Sequence, residues 1–204
     1  MNPILKLKIG RAALAELKNE LKAGEIIKVL PQIVIMKARG EPFGGLPGPE
    51  SGKDKESRAL IADAILLYRA LLKIKPLPDA ERITRAVIRE GAVAQLSYLI
   101  PEISRQTLDS LEEREKRMMF CGIIAKFPNA EYQIVKAEGK EYYYDITRCR
   151  LVELIESAGH PELKDAFCAG DGLYFELRQP EISFARESAI GEGNETCKFR
   201  FTVK

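Results

Sequence analysis

The sequence predicts an α+β fold, an N-terminal helical part packed with a C-terminal antiparallel sheet in the chain order β-β-α-α-β-β. Three observations carry this. Apolar residues recur at three- and four-residue spacing through the first 120 residues, between glycine and proline stops. After Phe127-Pro128-Asn129 the composition shifts to two Tyr-, Ile- and Val-rich runs joined at Gly139. The chain ends in TCKFRFTV, where Cys197, Phe199, Phe201 and Val203 alternate with Lys198, Arg200, Thr202 and Lys204, the period of a strand with one buried face. With 204 residues the chain can bury a sizeable core. The helical region 1–120 and the α+β region 121–204 are expected to form one compact unit.

Taken in order, residues 11–22 place Leu14, Leu17 and Leu21 at helical spacing, with Gly24 as a stop. A second apolar segment ends by Arg39. Residues 40–57, GEPFGGLPGPESGKDKES, hold five glycines and three prolines, which predicts a loop or flap. From Arg58 to Lys75, Ile61, Ile65, Tyr68 and Leu72 mark a helix that Pro76 closes. Asp79 is the expected N-cap of a long helix reaching about Leu99, and another is expected from Ser104 to Met119. Residues 131–138 and 140–147 read as a hairpin. Leu151, Leu154, Ile155 and Ala158 then give a helix with Gly159 as its C-cap, and Pro161 starts the next. FCAGDG, residues 167–172, leads into a short helix over 173–177, and ISFARES and TCKFRFTV return to strands.

Charge narrows the partners. Residues 121–204 carry 11 Lys and Arg against 14 Asp and Glu, and residues 1–120 carry 21 against 16. The acidic half is a poor phosphate binder, and the basic half intersperses its charges with acids as a solvated helix surface does, so no nucleic-acid partner is expected. The longest apolar run, residues 26–36, is broken by Lys28 and Pro31 and is shorter than the ~20 residues of a membrane span. The N-terminal stretch lacks the uninterrupted apolar core of a signal peptide. A cytoplasmic protein with no membrane contact and reduced thiols is expected, its oligomeric state left open to a homo-oligomer.

Four cysteines carry most of the available chemistry. Cys149, in TRCR, stands at a helix start between two arginines, a setting that favours a thiolate nucleophile; it is equally a small residue packing under the sheet. Asp171, three residues after Cys168, is either the N-cap of the following helix or a general base beside a substrate. Cys197 lies on the apolar side of the last strand. Cys149, His160, Cys168, Asp171 and Cys197 are acceptable ligand types, but no Cys-x2-Cys knuckle is present and no metal is expected. His160, the only histidine, reads as a surface linker residue. Gly52-Lys53 is followed by Asp54, so the phosphate-loop pattern GxxxxGK[ST] fails.

The run DITRCRLVELIESAGHPELKDAFCAGD, with IGEGNETCKFRF after it, resembles the L-2-amino-thiazoline-4-carboxylic acid hydrolase family. The likeness is firmest over residues 118–204. It implies opening of a C-N-S heterocycle to an N-carbamoyl amino acid, with no cofactor. Cys149 or Cys168 would attack the ring carbon or position water, and Asp171 would move the proton. Arg148 or Arg150 would bind the substrate carboxylate in a fork, and Cys197 and Tyr144 would line the substrate site. The same ending also looks like the vinyl reductase (4VR) type of small-molecule-binding domain, which implies a non-catalytic sensor or carrier instead.

Overall fold

A computed structural model describes residues 2–127 and 130–204. Pro128 and Asn129, at the shift in composition, lie outside the described residues. The helices are α1 (Pro3–Glu20), α2 (Ala23–Ala38), α3 (Gly52–Leu71), α4 (Leu77–Leu99), α5 (Arg105–Ser110), α6 (Glu113–Ile124), α7 (Arg150–Ser157) and α8 (Cys168–Arg178). The strands are β1 (Ala130–Glu138), β2 (Glu141–Cys149), β3 (Ile182–Arg186) and β4 (Cys197–Val203). Single 3-10 turns occupy Pro161–Leu163 and Ile190–Glu192. The α+β expectation holds.

The sheet is antiparallel throughout, in the order β1-β2-β4-β3. Alternation decides its inner face. Tyr142, Tyr144 and Ile146 of β2 and Cys197, Phe199, Phe201 and Val203 of β4 are buried, and Phe201 meets Phe120, Phe175 and Phe184 in a continuous aromatic cluster. The opposite face carries Asp145 paired with Arg200 at 2.9 Å and Arg200 over the Tyr143 ring. A second core, built on Ile61, Ile65, Tyr68, Ile83 and Val87, joins α3 and α4 to α1, α2 and α7.

Several boundaries differ from the expected ones, each for a local reason. The first helix begins eight residues early because Asn2 accepts a hydrogen bond from the Ile4 amide at 2.8 Å and Pro3 occupies the first turn. Gly24 is no stop; it lies in the first turn of α2, where Glu25 accepts from the Lys22 amide. α3 starts at Gly52 rather than Arg58, shortening the 40–57 loop, because Ser51 caps it by accepting from the Asp54 amide at 3.1 Å. Arg58 then reaches back to donate to the Pro47 carbonyl at 2.5 Å, so the loop is held against the helix. Pro76, not Asp79, precedes the first residue of α4. The helix expected over 104–119 breaks at Leu111, whose backbone is extended, and resumes where Glu115 accepts from the Glu112 amide.

Candidate functional site

The helical and sheet halves leave between them a cavity of about 80 Å³. α4 supplies Ala92, Gln95 and Leu96, the sheet supplies Ile146 and Phe199, α7 supplies Leu151 and Val152, and Lys164 and Phe167 come from the segment before α8. Into this mostly apolar lining come Cys149, Cys168, Asp171 and Cys197. The cavity thus gathers three thiols and one carboxyl from three separate elements, β2, α8 and β4.

Each is positioned by a definable feature. Cys149 ends β2 and stands at the N-cap position of α7, where its side chain makes no capping hydrogen bond. Cys197 opens β4, and its sulfur accepts from the Ile190 amide at 3.2 Å. Cys168 and Asp171 share the first turn of α8, which begins five residues earlier than expected. Asp171 is therefore no N-cap, and it makes no capping bond.

α8 can lie this close because of Gly170. A β-carbon there would stand 2.4 Å from the Ala92 β-carbon and 3.4 Å from the Arg89 carbonyl oxygen of α4. The far end of α8 is pinned by Tyr174, which donates to the Ile100 carbonyl, and by Gln179, which donates to Pro101 at 2.9 Å and accepts from the Ile103 amide at 3.0 Å.

The electrostatics favour neutral groups. Burial pushes the Asp171 carboxyl up from the ordinary carboxylate range to about 7, and Arg186, 4.0 Å away, pulls it partly back. Burial likewise raises the thiols of Cys149, Cys168 and Cys197, Cys168 most strongly because Asp171 adds its charge. Arg186 is held by donating to the Cys168 carbonyl at 2.6 Å and by Glu192 at 3.5 Å. A carboxyl poised near neutrality among neutral thiols is a proton carrier more readily than a thiolate site is formed. Among the described residues no three His, Cys, Asp or Glu side chains stand close enough together to hold a metal ion.

Other residues singled out in the sequence lie elsewhere. Arg148 pairs with Glu153 at 2.5 Å and with Glu131 at 3.1 Å on the surface. Arg150 pairs with the buried Asp54 and with Glu153, each at 2.8 Å. These neighbouring carboxylates take up both guanidinium groups, and neither arginine lines the cavity. Tyr144 is fully buried in the sheet core, its hydroxyl 3.8 Å from the Cys121 sulfur, and it too lies off the cavity. His160 is no surface linker; Arg69 donates to its Nε2 at 3.0 Å, Glu162 lies 3.1 Å from Nδ1, and its ring meets Tyr68 edge-on.

Sequence reasoning missed Lys164 and Gln95. Both reach the cavity, and among the described residues neither side chain is engaged in a hydrogen bond or ion pair. Lys164 sits in a loop and Gln95 mid-helix, without any motif to mark them, and only the packing of α4 against α8 brings them to the same place.

Fold and cavity together define an α+β protein with a small, mostly apolar chamber into which three thiols and a carboxyl are brought. The chain belongs to the L-2-amino-thiazoline-4-carboxylic acid hydrolase family, whose model matches residues 55–201. That stretch spans α3 through most of β4 and includes every cavity residue named above. No curated protein and no solved structure shows significant similarity to the chain.

Proposed function

We propose that this protein hydrolyses L-2-amino-thiazoline-4-carboxylate to N-carbamoyl-cysteine, with Asp171 as the group that moves the proton. The observation that carries this is the Asp171 carboxyl, raised to about 7 by burial, at the wall of a cavity that also holds a free cation and a free amide. Asp171 as carboxylate takes a proton from water, whose oxygen adds to the amidine carbon C2. The tetrahedral adduct then collapses with cleavage of the C–S bond, its hydroxyl proton passing to the ring nitrogen as the carbonyl forms. The ring sulfur leaves as a thiolate and receives the proton back, and a ureido group remains on nitrogen.

Water is the preferred nucleophile because burial keeps all three thiols protonated near neutral pH. A second route is favoured by one observation, the place of Cys149 at the N-terminus of α7, where the helix dipole would stabilise a thiolate once Asp171 removed its proton. Cys149→Ser separates them: the water route leaves kcat within about 10-fold of wild type, whereas covalent attack loses about 10³ or more.

Lys164 takes the substrate carboxylate in place of the two arginines already held in ion pairs. Gln95 is suited to the exocyclic amine. Lys164→Ala is expected to raise KM about 10-fold with little change in kcat, since the contact is equal in ground and transition states. Steady-state kinetics check this. The volume of about 80 Å³ supports a small heterocycle over the tetrapyrrole-sized ligand of a vinyl reductase type of carrier, whose site would need several hundred Å³. Incubating purified protein with the L-thiazoline should release a ureido thiol; no product from wild type at any pH between 6 and 9 would remove this substrate.

A further inference from the structure

The densest exposed apolar surface lies away from the cavity, on α1 and α2. Of thirteen large apolar side chains exposed among the described residues, seven belong to these two helices, which makes the patch a feature rather than scatter. On α2, Ile27, Leu30, Val34 and Ile35 are 71%, 43%, 67% and 51% exposed. Their spacing of i, i+3, i+7 and i+8 puts them on one side of the helix, while Val29 and Met36 are buried on the other. α1 repeats the arrangement, with Ile4 and Leu7 exposed and Leu5 and Leu17 buried.

Charge is sorted the same way. Residues 3–39 contain eight lysines and arginines, and all eight are exposed. The three acids, Glu16, Glu20 and Glu25, are all half-buried, and two are drawn inward by ion pairs, Glu20 to Arg82 at 2.7 Å and Glu25 to Lys75 at 2.6 Å. Of the eight cations Lys37 is partly neutralised by Asp63. The outward faces of both helices are therefore apolar and basic, with no helix acid fully exposed between them.

We propose that α1 and α2 form a docking face for an anionic lipid surface, the apolar side chains entering the headgroup boundary and the lysines and arginines meeting phosphate. A second copy of the chain fits less well, because a two-fold interface would press the basic face against itself. The expectation of no membrane contact rested on the lack of a span, and indeed no helix is long and apolar enough to cross a membrane; an interfacial helix needs none. The face lies outside residues 55–201 that match the family, so it stands or falls apart from the hydrolase reading.

Co-sedimentation of the full chain with vesicles tests it. Vesicles of phosphatidylcholine with about 30% phosphatidylglycerol should pellet at least ~10-fold more protein than phosphatidylcholine alone, and about 0.5 M salt should release most of it. Ile27→Ser with Val34→Ser, both exposed and so compatible with folding, should abolish pelleting, as should Lys6→Glu with Lys28→Glu, while circular dichroism stays unchanged. Equal or absent pelleting with both vesicle types overturns the proposal. So does a stable dimer in sedimentation equilibrium that the Ile27→Ser and Val34→Ser pair dissociates.

Discussion

Asp171→Asn is expected to lower kcat/KM for ring opening by about 10²–10⁴ while making the protein more stable above pH 7. The two effects share a cause. Burial raises the folded-state carboxyl from 3.8 to about 7, so between those values the folded protein holds a proton that the unfolded chain has released. The stability linked to that proton is fully present below about pH 4 and is lost as pH rises through 7, where the carboxylate forms in a poorly solvated place. Above pH 7 the penalty is on the order of 4 kcal/mol at most, and an amide escapes it. Activity runs the opposite way, because a general base works only as the carboxylate. Wild-type turnover should climb with pH over the same window in which its thermal stability falls, a trade of stability for function at one side chain. Thermal melts of both proteins at pH 4 and pH 8 check the sign: the variant should gain at pH 8 and change little at pH 4.

Gly170→Ala should cost about 1–3 kcal/mol and damage activity as well. The added β-carbon would lie 2.4 Å from the Ala92 β-carbon, an atom fixed by the α4 backbone, so relief requires a shift of α8 itself. That shift carries Cys168 and Asp171 with it, and a displacement near 1 Å at a reacting group can cost about 10²-fold in rate. Gly172 provides the control two residues on. A β-carbon at Gly172 meets nothing within 4 Å, and Gly172→Ala lies inside the same helix, so it should be neutral or stabilising by up to about 1 kcal/mol. Denaturant unfolding of the two variants side by side separates the packing effect from helix propensity.

The contrast between these two glycines also marks the limit of what could be read from the sequence. Element types were legible because periodicity reports a buried face directly: Phe199 and Phe201 alternate with charges, and Ile61, Ile65 and Tyr68 recur at helical spacing. The start of α8 was not. FCAGDG reads locally as a turn, and the helix reaches back to Cys168 because Gly170 allows contact with α4, a gain that no local preference reveals. The same holds for the chamber. Cys149, Cys168, Asp171 and Cys197 could be named in advance because their residue types are scarce and reactive, and they do meet at one cavity. Lys164 and Gln95 are common surface types whose position is set only by tertiary packing. Conversely, the arginines flanking Cys149 looked like anion ligands because Glu131, Asp54 and Glu153, which occupy them, are distant or inconspicuous in the chain.

The most direct test of Asp171 as the proton-moving group is the pH dependence of kcat/KM for the L-thiazoline in wild type and Asp171→Asn. A rising limb with an apparent pKa near 7 in the wild type, absent from the residual activity of the variant, is the predicted result. A limb that persists unchanged in Asp171→Asn, or wild-type activity that falls as pH rises through 7, would contradict it.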